Sequence, residues 1–307
     1  MKEYISLFLK GVAMGTANII PGVSGGTIAL IVGIFERLIN AIKSFNLIAL
    51  KLLLKRDFKG FAKHTDLYFL LVLFAGVGFA IISLARIFDF LFKEYPVYIW
   101  SYFFGLILAS VYFVGKTVEK WSAATIISFI VGSAFAIALT FMNPATENSS
   151  FLYLIVCGVA AVCSMILPGL SGSFVLILMG NYQLVAIDAI NNLRFEILFP
   201  VLIGAVFGLL GFSYLLSWIF KKFRNETIAL LTGFILGSLG IIWPWKNTIF
   251  MLDAAGEVLI KKGEPVVAKY VMAWPSIDAS FFIAVFIMIA GIASIWIIEK
   301  QAAKENN

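Results

Sequence analysis

Two stretches of this sequence place hydroxyls, glycines and a proline where an apolar helix should run on unbroken. The first is Asn18-Ile19-Ile20-Pro21-Gly22-Val23-Ser24-Gly25-Gly26-Thr27 and the second is Met165-Ile166-Leu167-Pro168-Gly169-Leu170-Ser171-Gly172-Ser173. Proline lacks a backbone donor and clashes with the preceding turn, and glycine weakens helices, so each stretch ends one helix and opens another. A helix start presents unpartnered N–H groups and a partial positive charge, which suits an anion. Gly22, Gly25, Gly26, Gly169 and Gly172 would let a ligand close to that backbone, while Ser24, Thr27, Ser171 and Ser173 add hydroxyl donors. The bland account is close helix packing by small residues, as expected at Gly204-x-x-x-Gly208 and Gly233-x-x-x-Gly237. Duplication of the break favours the anion site, because paired interruptions in corresponding places point to a transport site between repeats.

Charged residues inside apolar segments are the next candidates. Glu36 and Arg37 either serve a bound anion or snorkel as a pair to the membrane surface. Glu36 could also carry a coupling proton. Arg86 either pairs with Asp89 on its own helix or offers a forked cation to phosphate. Asp188 and Arg194 read as capping or solvating groups. His64 is the only histidine, and Cys157 and Cys163 form no metal-ligand cluster or disulfide framework. No catalytic residue, metal or cofactor is expected, and the chain reads as a non-enzyme.

The elements that must hold these residues are membrane helices. Of the 307 residues 62% are hydrophobic and only 13% charged, against about 25% charged in soluble domains. Mean hydropathy is +1.01. No cleavable leader is expected, since no small-residue cleavage site follows Met1–Leu9. Residues 3–42 form an apolar segment broken in the middle, each arm about 16 residues or roughly 24 Å, short of a full crossing. A re-entrant hairpin fits, with tilted full crossings as the alternative. Residues 43–66 make a basic connector in which Leu47–Leu54 could be an interfacial helix. Three crossings fill 67–142, and 143–150 is a polar loop. A second hairpin spans 151–190, followed by crossings at 199–220, 227–243 and 281–298. The external segment 246–278 contains a possible surface hairpin, 258–261 with 266–270.

An offset of 147 pairs Gly11 with Gly158, Pro21 with Pro168, Ser24 with Ser171 and Gly33 with Gly180, and an offset of 128 pairs Gly76 with Gly204 and Gly105 with Gly233. Two such clusters in the same order argue for internal duplication, 1–142 against 151–307. Three crossings per repeat force the second copy upside down. With the N- and C-termini inside, fifteen Lys and Arg fall in the cytoplasm against seven outside, as the positive-inside rule prefers. The expected fold is therefore an all-α polytopic membrane protein of two inverted repeats, each a re-entrant hairpin followed by three transmembrane helices.

The run from Gly15 to Leu30, continued by Gly33-Ile34-Phe35-Glu36-Arg37-Leu38-Ile39, resembles the signature of the DUF368 membrane family. Ile166 to Phe174 is similar to that family's second motif. Members, also called polyprenyl-phosphate transporters, are implicated in returning undecaprenyl phosphate across the bacterial cytoplasmic membrane for cell-envelope synthesis. The resemblance implies a flippase for a phosphate head group on a long isoprenoid tail, working from outer to inner leaflet. It carries over to Pro21 through Thr27, Glu36, Arg37 and Pro168 through Ser173; many relatives have aspartate where Asn18 stands. Expected partners are the polyprenyl-phosphate lipid and membrane lipids, not nucleic acid; a homo-oligomer and a coupling ion (proton or sodium) stay open. The alternatives are a small-anion channel or exchanger using the same helix starts, and an intramembrane lipid phosphatase, against which the lone His64 and the lack of an acidic metal cluster argue.

Overall fold

The computed structural model describes residues 2–19, 24–142, 144–250, 257, 260–261, 264–265 and 267–305. The first half holds α1 (Lys2–Ile19), α2 (Gly25–Ile31), α3 (Phe35–Lys43), α4 (Leu47–Leu54), α5 (Phe58–His64), α6 (Leu67–Glu94), α7 (Pro96–Lys116) and α8 (Ala123–Phe141). The second holds α9 (Phe151–Ile166), α10 (Gly172–Leu178), a π-helical turn (Gln183–Asp188), α11 (Ala189–Asn191), α12 (Phe195–Lys222), α13 (Arg224–Ser238) and α14 (Ala279–Glu305). Among the described residues five helices, α6, α7, α8, α12 and α14, are long and apolar enough to cross a membrane. Most of their surface faces outward as bare Leu, Ile and Phe, including Ile82, Phe141, Phe207 and Phe286. Water would penalise that surface heavily, whereas lipid matches it. The chain is a mostly helical, multi-spanning membrane protein.

The helices associate in pairs: α1 lies along α6, α9 along α12, α7 along α14 and α8 along α13. Backbone approaches at the crossings are too close for a Cβ, with Gly76 against the Phe8 carbonyl and Gly204 against the Ile155 carbonyl. The Gly204/Gly208 and Gly233/Gly237 pairs serve this packing, as small residues do where lipid supplies no hydrophobic drive between helices. Residues at the two sequence offsets have matching local structure. Helices α6 and α12 are 28 residues each and begin 128 positions apart. Helices α7 and α13 also begin 128 apart, and their caps Tyr95 and Phe223 share a conformation (φ −132°, ψ 48° and φ −135°, ψ 55°).

The structure corrects the expected fold in three places. The second arm of each hairpin is not one helix. Helices α2 and α3 meet at 118°, and α10 gives way to the π turn and α11. The cause is a second glycine: Gly33 and Gly180, 147 apart, hold φ of +73° and +72°, a left-handed conformation that ends a helix. The crossing expected over 227–243 is helical only to Ser238, then runs on as turns. Finally the chain is not all-α. Between α13 and α14, β1 (Lys246–Phe250) pairs antiparallel with β4 (Val267–Met272), and β2 (Ile260–Lys261) with β3 (Glu264–Pro265). The expected hairpin of 258–261 with 266–270 is therefore corrected: Ile260–Lys261 pairs with Glu264–Pro265 across a tighter turn, and Val267–Met272 pairs instead with Lys246–Phe250, while residues 258–259, 262–263 and 266 lie outside the described residues. Leu47–Leu54 is helical as expected (α4), with Leu47, Leu50, Leu53 and Leu54 exposed and its start capped by Asn46.

Candidate functional site

The two interrupted stretches meet. Ser24 caps α2 by accepting from the Gly26 N–H at 3.1 Å, and its own hydroxyl donates to the Met165 carbonyl at 3.0 Å. Thr27 Oγ1 accepts from the Gly169 N–H at 3.0 Å. Ser24 and Thr27 are 1% and 0% exposed, so this contact is dry. Gly26 permits it, because a Cβ there would sit 2.5 Å from the Ile166 carbonyl oxygen. Gly169, at φ +82°, turns the second tip against the Phe234 carbonyl of α13. The first tip has arrived beside the middle of α6, since Gly15 packs on Val77 and Ala80. The second lies beside the middle of α12, where Cys163 Sγ faces the Gly208 carbonyl at 3.8 Å.

Helix starts are occupied in this conformation. The Gly25 N–H donates to Asn18 Oδ1 at 2.7 Å and the Thr27 N–H to the Ser24 carbonyl at 2.9 Å. Ser171 caps α10 through the Phe174 N–H at 3.2 Å, with Ser173 Oγ 3.3 Å from its hydroxyl. Pro168, Gly169 and Gly172 are buried in the same contact region. Pro21 and Gly22 lie outside the described residues. The structure thus brings Asn18, Ser24, Gly25, Gly26 and Thr27 together with Pro168 and Gly169, and pairs Ser171 with Ser173 at the adjoining start of α10.

Glu36, Arg37 and Arg86 are elsewhere. Glu36 and Arg37 are neighbours in sequence, but a helix turns them about 100° apart, and they take different partners. Arg37 forks onto Asp66, the cap of α6, at 2.7 and 3.1 Å, with its guanidinium 4.3 Å over the Phe69 ring. Glu36 accepts from Arg224, the first residue of α13. Farther along α3, Ser217 of α12 donates to Asn40 Oδ1 at 3.0 Å and accepts from Lys43 at 3.2 Å. Sequence reasoning missed Asn40, Lys43, Asp66, Ser217 and Arg224. One signal was available: Glu36, Asn40 and Lys43 are spaced i, i+4, i+7, a polar stripe on a helix whose other polar residue is Arg37. Arg86 is exposed on the C-terminal half of α6, and the side chain of Asp89 lies outside the described residues. Arg194 pairs with Asp188 at 2.6 Å and Glu196 at 2.8 Å, a local clasp at the start of α12. Among the described residues no group of His, Cys, Asp and Glu could hold a metal.

A polytopic helical membrane protein, with two broken segments buried against each other between its halves, has the general plan of a transporter. The chain belongs to the VCA0040-like family, described as undecaprenyl phosphate translocase-like, whose model matches residues 14–259. This is the family that its motifs resemble. The chain is 38% identical over 306 residues to the polyprenyl-phosphate transporter of Vibrio cholerae serotype O1, covering 98% of each chain. It is 32% identical over 258 residues to the polyprenyl-phosphate transporter of Staphylococcus aureus, covering 78% of this chain and 86% of that one. No solved structure matches it.

Proposed function

We propose that this chain moves a polyprenyl phosphate, such as undecaprenyl phosphate, from the outer to the inner leaflet of the bacterial cytoplasmic membrane. The observation that carries the reading is the likeness to the Vibrio cholerae polyprenyl-phosphate transporter along almost the whole of both chains. The mechanism is a secondary transporter of two inverted repeats, related by the matched helices and the matched left-handed glycines. Contacts between distant segments support the grouping of segments by side, and the Lys and Arg count then puts the N- and C-termini inside. Glu36 with Arg224 and Lys43 with Ser217 fall inside, and Tyr98 with Ser280 falls outside.

In the closed contact between the tips, the Ser24 hydroxyl donates to the Met165 carbonyl and the Gly169 N–H donates to Thr27 Oγ1. A buried polar group must keep a partner, so parting the halves leaves these donors seeking one. A phosphate head group arriving between the tips supplies it, with Ser171 and Ser173 adjoining, while the isoprenoid tail stays in lipid. The test is flipping of undecaprenyl phosphate in proteoliposomes. Wild type should accelerate it, and Ser24→Ala with Ser171→Ala should slow it. Flux of inorganic phosphate or chloride without movement of the prenyl phosphate would replace this reading with an anion channel.

A further inference from the structure

The polar stripe of α3 meets a basic corner that the tip contact does not use. Glu36 lies against Arg224 at the start of α13, and Asn40 and Lys43 hold Ser217 on α12. Between them is a small cavity of about 40 Å³ lined by Glu36, Ile39, Asn40, Ser217, Phe220 and Lys221. Lys221 lines it beside Glu36, the lining carboxylate, while two further cations stand one residue behind, Lys43 on Ser217 and Arg224 on Glu36; Arg37 is turned away onto Asp66. The link from Arg224 to Glu36 is single, one guanidinium nitrogen to one oxygen, and both side chains are about half exposed. Such a pair is worth little in itself. A phosphomonoester brings three acceptor oxygens and up to two charges, which suit the planar guanidinium fork better.

Lys221 is matched in the other repeat by Lys93, but the ion pair and the lysine–serine contact of this corner are not reproduced there. The same offsets that match the repeats elsewhere place Gln183 opposite Glu36, Ile187 opposite Asn40, Ile190 opposite Lys43 and Pro96 opposite Arg224. None of these can reproduce the ion pair or the lysine contact. A feature that a duplicated architecture keeps on one side only belongs to a step that happens on one side only.

We infer that Glu36 is a stand-in anion on Arg224, and that a phosphomonoester head group displaces it to occupy a subsite made by Arg224, Lys221, Lys43 and Ser217 before release. The inference rests on the transport reading above and assigns that path its inner station. It differs from a plain structural bridge in sign. Removing the carboxylate should help the ligand, while removing the guanidinium should harm it.

The experiment uses the full chain in nanodiscs, with farnesyl phosphate and inorganic phosphate as separate probes. Glu36→Gln should bind farnesyl phosphate about three- to fivefold more tightly, as loss of a half-exposed competing charge allows. Arg224→Gln should bind it about tenfold more weakly, and Arg224→Lys should fall between. Thermal unfolding of each variant identifies any that fail to fold, and Arg224→Lys keeps the charge if Arg224→Gln does. Weakening by both Glu36→Gln and Arg224→Gln, or no change in either, overturns the displacement and leaves a bridge. Tightening confined to inorganic phosphate also overturns it, because the site would then serve the free ion. Wild type that neither binds nor flips a prenyl phosphate would remove the transport reading itself, and this station with it.

Discussion

Gly26 has room for a hydrogen and little else, with the Ile166 carbonyl oxygen 2.5 Å from where a Cβ would be. Gly26→Ala must push the two tips apart, and overpacking of that kind costs about 1–3 kcal/mol. Thr27→Val keeps the volume but removes the acceptor of the Gly169 N–H, stranding a buried donor at a cost of about 1–3 kcal/mol. Both variants should lower the melting temperature in detergent, and an unchanged value for both would mean the tips do not touch. Lys246 carries the pH prediction. Burial lowers its ammonium from 10.5 to about 7, while the Trp100 ring at 3.9 Å and the Ile241 carbonyl favour the charged form. Between those two values the unfolded chain holds a proton that the folded one has lost. The lysine's burial cost is therefore full below about pH 7 and fades as pH rises towards 10.5. Lys246→Met should raise the melting temperature by about 2–4 °C at acidic pH and by less near pH 10. An equal shift at both would show that the ammonium is not desolvated.

At the scale of elements, the two left-handed glycines make a matched experiment. At Gly33 nothing lies within 4 Å of an added Cβ, so Gly33→Ala costs only backbone strain, about 1–2 kcal/mol. At Gly180 the same strain is joined by a clash with the Ala145 carbonyl, so Gly180→Ala should cost more. Differential scanning fluorimetry of the two variants checks the order; equal losses would mean the Ala145 segment yields freely. These glycines also show what the sequence could and could not say. The Pro-Gly breaks were legible because proline in an apolar run has few other uses. The second bend in each arm was not, because glycine is common in membrane helices and its φ leaves no trace in composition. Helix α4 was legible to the residue from its apolar run between Asn46 and Lys55. The β1–β4 pairing was not, since Lys246–Phe250 is short and its partner lies some twenty residues on. At the site, Ser24 and Thr27 stood out as hydroxyls beside glycines, but their partners are the Met165 carbonyl and the Gly169 N–H, which every residue type but proline can supply. The contacts of Glu36 with Arg224 and of Lys43 with Ser217 span more than 170 positions, and only the fold connects them.

For the whole molecule the question is which way the halves point. In the transporter proposed above, the two broken segments that touch beside the middles of α6 and α12 enter from opposite faces. On that proposal, with three crossings after each hairpin, the 43–66 connector and the α12–α13 junction belong inside, and the 144–150 loop and the ribbon of β1 and β4 outside. A membrane-impermeant maleimide tests this in intact cells, on chains in which Cys157 and Cys163 are replaced by Ala. Glu147→Cys and Trp274→Cys, both on exposed residues, the latter 92% exposed, should be labelled from outside. Lys59→Cys, exposed on α5, should react only after the cells are opened. Labelling of Lys59→Cys and Glu147→Cys from the same side would require an even number of crossings between them. The repeats would then be parallel, and the inverted arrangement proposed above would fall.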